Sequence, residues 1–271
     1  MTIVGQDNLL SKLNSFTLDT LPRTCLIEGP IGSGRHTIVN ELANKFNLEL
    51  LDITENLNLD YITEMLLKSS PSMYIINGDV LNIKNENVIL KLLEEPLKNT
   101  FIFIITTDKN TLIDTIKNRC YSMKMEPYNK QTLALFLKPN SADRDLIISL
   151  AKTPGDVLNM QSHPLKDISD LCVKIFDKIS IANYANILSL SNQIGFKNEK
   201  DKFNFDLFSR ILLDISRDRV QHLNNNYYEY FITNEFYNKL KIKNIDKKQL
   251  FDNYLITLKQ QSLQNQGVNN T

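Results

Sequence analysis

Thr24-Cys25-Leu26-Ile27-Glu28 leads straight into Gly29-Pro30-Ile31-Gly32-Ser33-Gly34-Arg35-His36-Thr37, and helical spacing follows over residues 37–46. This succession of apolar run, glycine loop and helix constrains the fold more than any other feature of the chain. Glycines let backbone N–H groups converge on one point, and a helix N-terminus adds partial positive charge there, so the segment has the build of a phosphate cradle. Further apolar runs at residues 48–52, 73–76, 101–105 and 121–125 read as strands buried on both faces. They alternate with helical spacing at 60–67, 85–95 and 110–117. Alternation at this pitch predicts an α/β fold, a parallel sheet with helices on both faces.

After Pro127 the strand pattern stops and helical spacing takes over. The expected division is an α/β domain over 1–126, a small helical domain over 127–163 and an all-helical unit over 164–271. Pro139-Asn140 and Thr153-Pro154-Gly155 break the middle piece. In the last unit Ile168, Leu171, Ile175, Phe176 and Ile179 share one helical face, as do Leu207, Phe208, Ile211, Leu212 and Ile215. The Asn- and Gln-rich tail, 260–271, is expected to fray.

Composition excludes several classes. With 42% hydrophobic and 23% charged residues the chain is globular rather than disordered. The longest apolar run is 101–105, far short of the roughly 20 residues of a membrane span. The N-terminus lacks the basic and apolar regions of a signal peptide, so a cytoplasmic location and no membrane partner are expected. Lys plus Arg equals Asp plus Glu at 31 each, so contact with DNA would need a local patch. The main one is Lys239-Leu240-Lys241-Ile242-Lys243 with Lys247-Lys248, a pattern more often a solvated face. Cys25, Cys120 and Cys172 are odd in number and far apart, which fits reduced thiols rather than disulfides or a zinc site, and no metal is expected. His163 and His222 have no companions at metal or triad spacing.

The glycine loop departs from G-x-x-x-x-G-K-[ST]. Gly29 and Gly34 match, Arg35 stands in the lysine place, His36 in that of the Mg²⁺-binding hydroxyl, and Thr37 comes one position late. Gly29, Gly32, Gly34, Arg35, His36 and Thr37 are the candidate phosphate-loop residues. No cofactor is required, and occupancy by ATP or ADP stays open. A hydrolysing site also needs an acidic pair after the third strand, but Asn77 and Gly78 hold those places and Asp79 lies two residues on. With both elements altered, no intrinsic hydrolysis is expected.

Asn87-Val88-Ile89-Leu90-Lys91-Leu92-Leu93-Glu94-Glu95-Pro96, then Thr100 to Thr107, then Ile116-Lys117-Asn118-Arg119-Cys120 follow in order. This succession resembles the AAA+ clamp-loader subunits of DNA polymerase III, in which a helix ending L-E-E-P leads to a strand ending T-T and a later helix ends in S-R-C. The altered loop makes the chain most similar to the delta-prime type, related to gamma/tau but with degenerate ATPase motifs. Gly155, in Thr153-Pro154-Gly155-Asp156, holds the place of a sensor arginine of ATP-binding relatives. The zinc module of many relatives is missing, and Asn118 replaces the serine of S-R-C.

The resemblance implies an AAA+ P-loop domain, a helical lid and a C-terminal collar. It implies a non-hydrolysing accessory subunit of the polymerase holoenzyme that helps load the sliding clamp on primed DNA. Its partners would be gamma/tau and delta subunits, the clamp, and primed DNA through the complex. Arg119 would be an arginine finger acting in trans, where such a group contributes roughly 10³ to 10⁵ in rate. Glu94-Glu95 is expected to be structural, with no partner and with Pro96 ending the helix, and Thr106 and Thr107 carry a weaker sensor reading. Two alternatives stay open: a self-sufficient ATPase in which Arg35 and Asp79 supply the missing roles, and a phage or plasmid replication factor on the same fold.

Overall fold

A computed structural model describes residues 3–57, 71–94, 100–139, 141, 143–191, 194, 204–223, 227–240, 242 and 245–268. The helix expected over 60–67 lies outside them, as do Glu95, Pro96, Lys241 and Lys243. The chain divides into two compact units, Met1–Phe136 with Ala151–Val157, and Leu137–Leu150 with Leu158–Thr271.

The first unit carries five strands: β1 (Thr24–Glu28), β2 (Glu49–Asp52), β3 (Ser72–Asn77), β4 (Thr100–Thr106) and β5 (Tyr121–Lys124). All pairings are parallel and the order is β2-β3-β4-β1-β5. Its helices are α1 (Asp7–Ser15), α2 (Arg35–Phe46), α3 (Ile83–Glu94), α4 (Asp114–Lys117) and α5 (Lys130–Ala134). Two-residue alternation sorts the strand side chains to opposite faces. Cys25, Ile27, Met73, Ile75, Phe101 and Phe103 pack with Leu9, Leu13, Ile38, Val39 and Leu42 of α1 and α2. Leu26, Tyr74, Ile76, Ile102 and Ile104 pack with Ile89, Leu92, Leu93 and Ile116 of α3 and α4. The expected parallel sheet with helices on both faces is present.

Burial on both faces holds only for the inner strands. Every residue of β4 is buried, whereas β2 is half-buried or exposed and Met123 is the only buried residue of β5. These two lie at the sheet edges, where one side of the strand has no neighbour to cover it. Spacing also predicts one helix over 110–117, but the segment splits into a 3₁₀ turn, Lys109–Thr111, and the short α4. Between them Leu112 and Ile113 are extended. Leu112 drops into the core, and Ile113 N–H donates to the buried Glu86 carboxylate at 3.3 Å. α1 carries no clear signal in the sequence, since its buried stripe is only Leu9 and Leu13.

In the second unit α6 (Arg144–Leu150), α8 (Leu165–Ile179), α9 (Tyr184–Ser191), α10 (Phe205–Leu223), α11 (Tyr227–Lys239) and α12 (Lys247–Val268) pack together, while α7 (Pro154–Met160) begins in the first unit and ends in this one. The expected α8 face is buried in full, and Phe205, Phe208, Phe236, Phe251 and Tyr254 form an aromatic cluster. The tail does not fray from residue 260, because α12 runs to Val268. Its inner side continues past Leu258 as Lys259, whose ammonium donates to Ser180 O at 2.9 Å, and the buried Ser262. Polar residues thus extend a buried face that apolar spacing alone does not mark.

Phe103 lies fully buried in the central strand β4. Phe103→Ala is expected to lower the unfolding free energy by about 3–5 kcal/mol, read from urea denaturation. A loss below about 1 kcal/mol would place this residue outside a close-packed core.

Candidate functional site: the strand ends around Asp79

Parallel strands bring their following loops to one edge, where ligands collect in doubly wound sheets. Here β1, β4 and β3 are consecutive neighbours through β4, so the glycine loop, Thr106-Thr107 and Asn77-Gly78-Asp79 meet. Gly29 N–H donates to Thr106 O at 2.9 Å, tying the start of the loop to the end of β4. Gly32 and Gly34 have φ of +77° and +91°, a region that side chains with Cβ rarely adopt. α2 then starts at Arg35, with no side chain capping it, and its first internal bond runs from Ile38 N–H to Gly34 O at 2.9 Å. The orphan amides of the first turn are those a bound anion would use.

The centre of the site is Asp79, in the 3₁₀ turn that follows β3. Its Oδ1 accepts from Thr106 Oγ1 at 2.8 Å, Thr107 N–H at 2.7 Å and Thr107 Oγ1 at 2.9 Å. Its Oδ2 faces Arg35 Nη1 at 3.4 Å; the Arg35 side chain is buried and that of Asp79 partly covered. Asn77 Oδ1 accepts from Asp79 N–H at 3.0 Å and so shapes the turn. Burial opposes ionisation of Asp79, but the hydrogen bonds from Thr107 and Thr106 and the charge of Arg35 outweigh it and hold the carboxyl below its ordinary value.

The other expected loop residues are placed less tightly. His36 is exposed, with Nε2 3.9 Å from Asp52 Oδ2, and Thr37 is half-buried as the third residue of α2. Ser33 Oγ is buried with no hydrogen-bond partner among the described residues, while Ser33 O accepts from Tyr128 Oη at 2.8 Å. Tyr128 has no sequence signal of its own. Thr153-Pro154-Gly155 breaks the chain as expected and also starts α7: Thr153 Oγ1 accepts from Asp156 N–H, and Asp156 Oδ2 accepts from Thr153 N–H. Gly155 N–H donates to Gly32 O at 2.9 Å, and a Cβ on Gly155 would stand 2.5 Å from Gly32 Cα. Only glycine permits this approach of α7 to the loop.

Arg119 is exposed between α4 and β5, away from the Asp79 network. Its Nη1 donates to Thr115 O and its Nη2 to Glu94 Oε1, each at 2.9 Å. Glu94 therefore has a partner, contrary to the expectation from the Glu-Glu pair. The reason is tertiary: the end of α3 packs beside α4, which adjacent charges on one helix do not reveal. In the basic patch Lys239 pairs with Glu235 at 2.7 Å and Lys247 with Asp206 at 2.9 Å, so part of its charge is balanced in place. Cys25 and Cys172 are buried and Cys120 is half-buried, and burial pushes the Cys120 thiol up to about 12. No helix of the described residues is long and apolar enough to cross a membrane.

The folded-state value of Asp79 lies below its unfolded one, so the ionised carboxylate contributes stability that is fully present above about pH 4 and is lost as pH falls through the folded value. Between about pH 5 and pH 3 the native chain should lose more unfolding free energy than Asp79→Asn. Parallel stability curves from denaturant titrations would show that the network does not hold the carboxylate.

The family described as DNA polymerase III, delta subunit, matches residues 51–129, the stretch that holds Asp79, Glu94, Thr106 and Arg119. The DNA polymerase III gamma subunit of Buchnera aphidicola from Schizaphis graminum is 24% identical over 267 residues, covering 82% of this chain and 69% of that protein. The delta-prime subunit of Bacillus subtilis is 35% identical over 68 residues, 25% of this chain and 21% of that one. Among solved structures, a DNA polymerase III gamma-subunit-related protein of Thermotoga maritima superposes with a TM-score of 0.58 at 18% identity, covering 95% of this chain and all of that one. RuvB, the Holliday junction branch migration motor of the same organism, gives 0.50 at 14% identity, covering 81% and 77%, and shares the fold. The chain thus matches the family described as DNA polymerase III, delta subunit, over residues 51–129, is similar to gamma and delta-prime subunits of DNA polymerase III, and shares the fold of a gamma-subunit-related protein.

Proposed function

We propose that this chain is a non-hydrolysing, delta-prime-like subunit of a DNA polymerase III clamp loader, an accessory subunit of the holoenzyme. The observation that carries this reading is the Arg35–Asp79 pair. In a working phosphate loop the cation at this position faces the nucleotide phosphates, and the acidic pair beyond the third strand holds Mg²⁺ and activates water. Here the cation turns to a carboxylate of its own chain, and that carboxylate is already saturated on one oxygen by three donors. Asn77 and Gly78 offer no carboxylate in its stead. A planar guanidinium also cannot replace the compact ammonium of lysine within a tight loop.

In this role the chain works by position and charge. Its sheet domain packs on a neighbouring ATPase subunit and presents Arg119 to the nucleotide held there, and its C-terminal helices join a collar. The partners are gamma/tau and delta subunits, the sliding clamp, and primed DNA reached through the complex. Purification from the native cell tests this assembly, with gamma/tau and delta in the eluate as the expected result.

The self-sufficient ATPase is the second reading, favoured by the same meeting of Arg35 and Asp79. A turnover assay separates the two. The isolated chain is expected to hydrolyse no ATP above background with Mg²⁺ present. Turnover abolished by Arg35→Ala would overturn the first reading and establish the second.

Arg119→Ala should leave assembly intact and lower the DNA-stimulated ATPase of the complex by about 10³-fold or more at the interface it serves, with ATP affinity near normal. Single-turnover measurement at that interface is the readout. A native rate in the variant complex would return Arg119 to an ordinary surface charge.

A further inference from the structure

We propose that Glu94 is a positioning residue for Arg119, holding the guanidinium in the orientation from which it reaches a neighbour's nucleotide. The inference rests on the finger role proposed for Arg119 and adds the residue that aims it.

Arg119 follows α4 closely enough that its own backbone is fixed: its N–H donates to Ile116 O at 3.1 Å, and its carbonyl accepts from Thr24 Oγ1 of β1 at 2.5 Å. The side chain is then free to rotate about four bonds, and an exposed arginine left to itself samples many rotamers. Two acceptors remove that freedom. Thr115 O takes Nη1 from one side, and Glu94 Oε1, at the end of α3, takes Nη2 from the other, each at 2.9 Å. These bonds use two of the five N–H donors of a guanidinium. Among the described residues the remaining donors have no acceptor, so two bonds hold the group while donors remain for an external anion.

Glu94 itself is anchored by the packing of α3. Leu92 and Leu93 are buried in the core cluster that includes Ile116 of α4, so the carboxylate and the guanidinium are carried on one rigid face. The Glu94 carboxylate is half-exposed and the Arg119 side chain about a third exposed. Pairs of this kind add little to stability, so the contact is better suited to orientation than to holding the fold. Orientation matters for rate because a charge-stabilising donor acts only when it is aimed before the reaction, and small misplacements cost up to about a hundredfold.

Two measurements test this. The first uses the full chain alone and follows ¹⁵N relaxation of the Arg119 side-chain N–H. The native side chain is expected to be restricted and that of Glu94→Ala mobile, while equal mobility in both overturns the proposal. The second uses the complex reconstituted with the native ATPase subunit. Glu94→Ala should lower kcat about tenfold to a hundredfold with KM unchanged, and Glu94→Gln, which keeps an acceptor oxygen in place, should stay within about threefold of native. In an Arg119→Ala background Glu94→Ala should have no further effect, since the two act as one unit. An equal loss in both backgrounds overturns the positioning role and leaves the finger standing. A native rate for Arg119→Ala alone overturns the finger, and the role of Glu94 falls with it.

Discussion

One carboxylate joins the parts of the sheet edge that sequence leaves separate. Asp79 lies after β3, Thr106 and Thr107 at the end of β4, and Arg35 in the first turn of the helix after β1, and all of them bond to its two oxygens. A partly covered carboxylate loses some of its hydration, and the donors that surround it here offset that loss. Three hydrogen-bond donors thus converge on one oxygen of this carboxylate and one cation faces the other, all from the same chain. A phosphate approaching the loop would meet an arginine already partnered and a carboxylate of its own sign.

The close approach of α7 reinforces this arrangement by a different force. Gly155 and Gly32 meet backbone to backbone, and neither position has room for Cβ. Hydrogen bonding from Gly155 N–H to Gly32 O gives the loop carbonyl a partner, and Tyr128 does the same for Ser33 O. The loop is thus held by its own chain on the side of α7 and on the side of Tyr128. An arginine at position 155 would not fit this contact.

Much of this is legible in the order of residue types along the chain, and what is not legible has a common cause. The five strands and the alternation of their faces follow from short apolar runs between helical segments, because β4 and its neighbours bury both sides. The degenerate loop and the Asn77-Gly78 substitution are read directly from residue types. Pairings between distant positions are not: nothing in the spacing of Glu94 and Arg119, 25 residues apart, or of Arg35 and Asp79, 44 apart, says that they meet. The same holds for the edge strands, whose exposure depends on sheet order, and for α12, whose buried Lys259 and Ser262 belong to a face that only packing defines.

The two arginines at the centre of the functional reading differ in the strength of what holds them. Arg35 is buried and Asp79 partly covered, with three further donors on the carboxylate, so parting them leaves the buried guanidinium without its described charge partner, a costly change. Arg119 and Glu94 form an exposed pair, in which water and salt screen the attraction, and such a contact is worth about 0–1 kcal/mol. An external phosphate can bond to the donors of Arg119 that Glu94 and Thr115 leave unused, whereas Arg35 is turned to its own carboxylate. The inward arginine is thus engaged within its own site while the outward one keeps donors free of described partners, which is the asymmetry the proposed role on a neighbour's nucleotide requires.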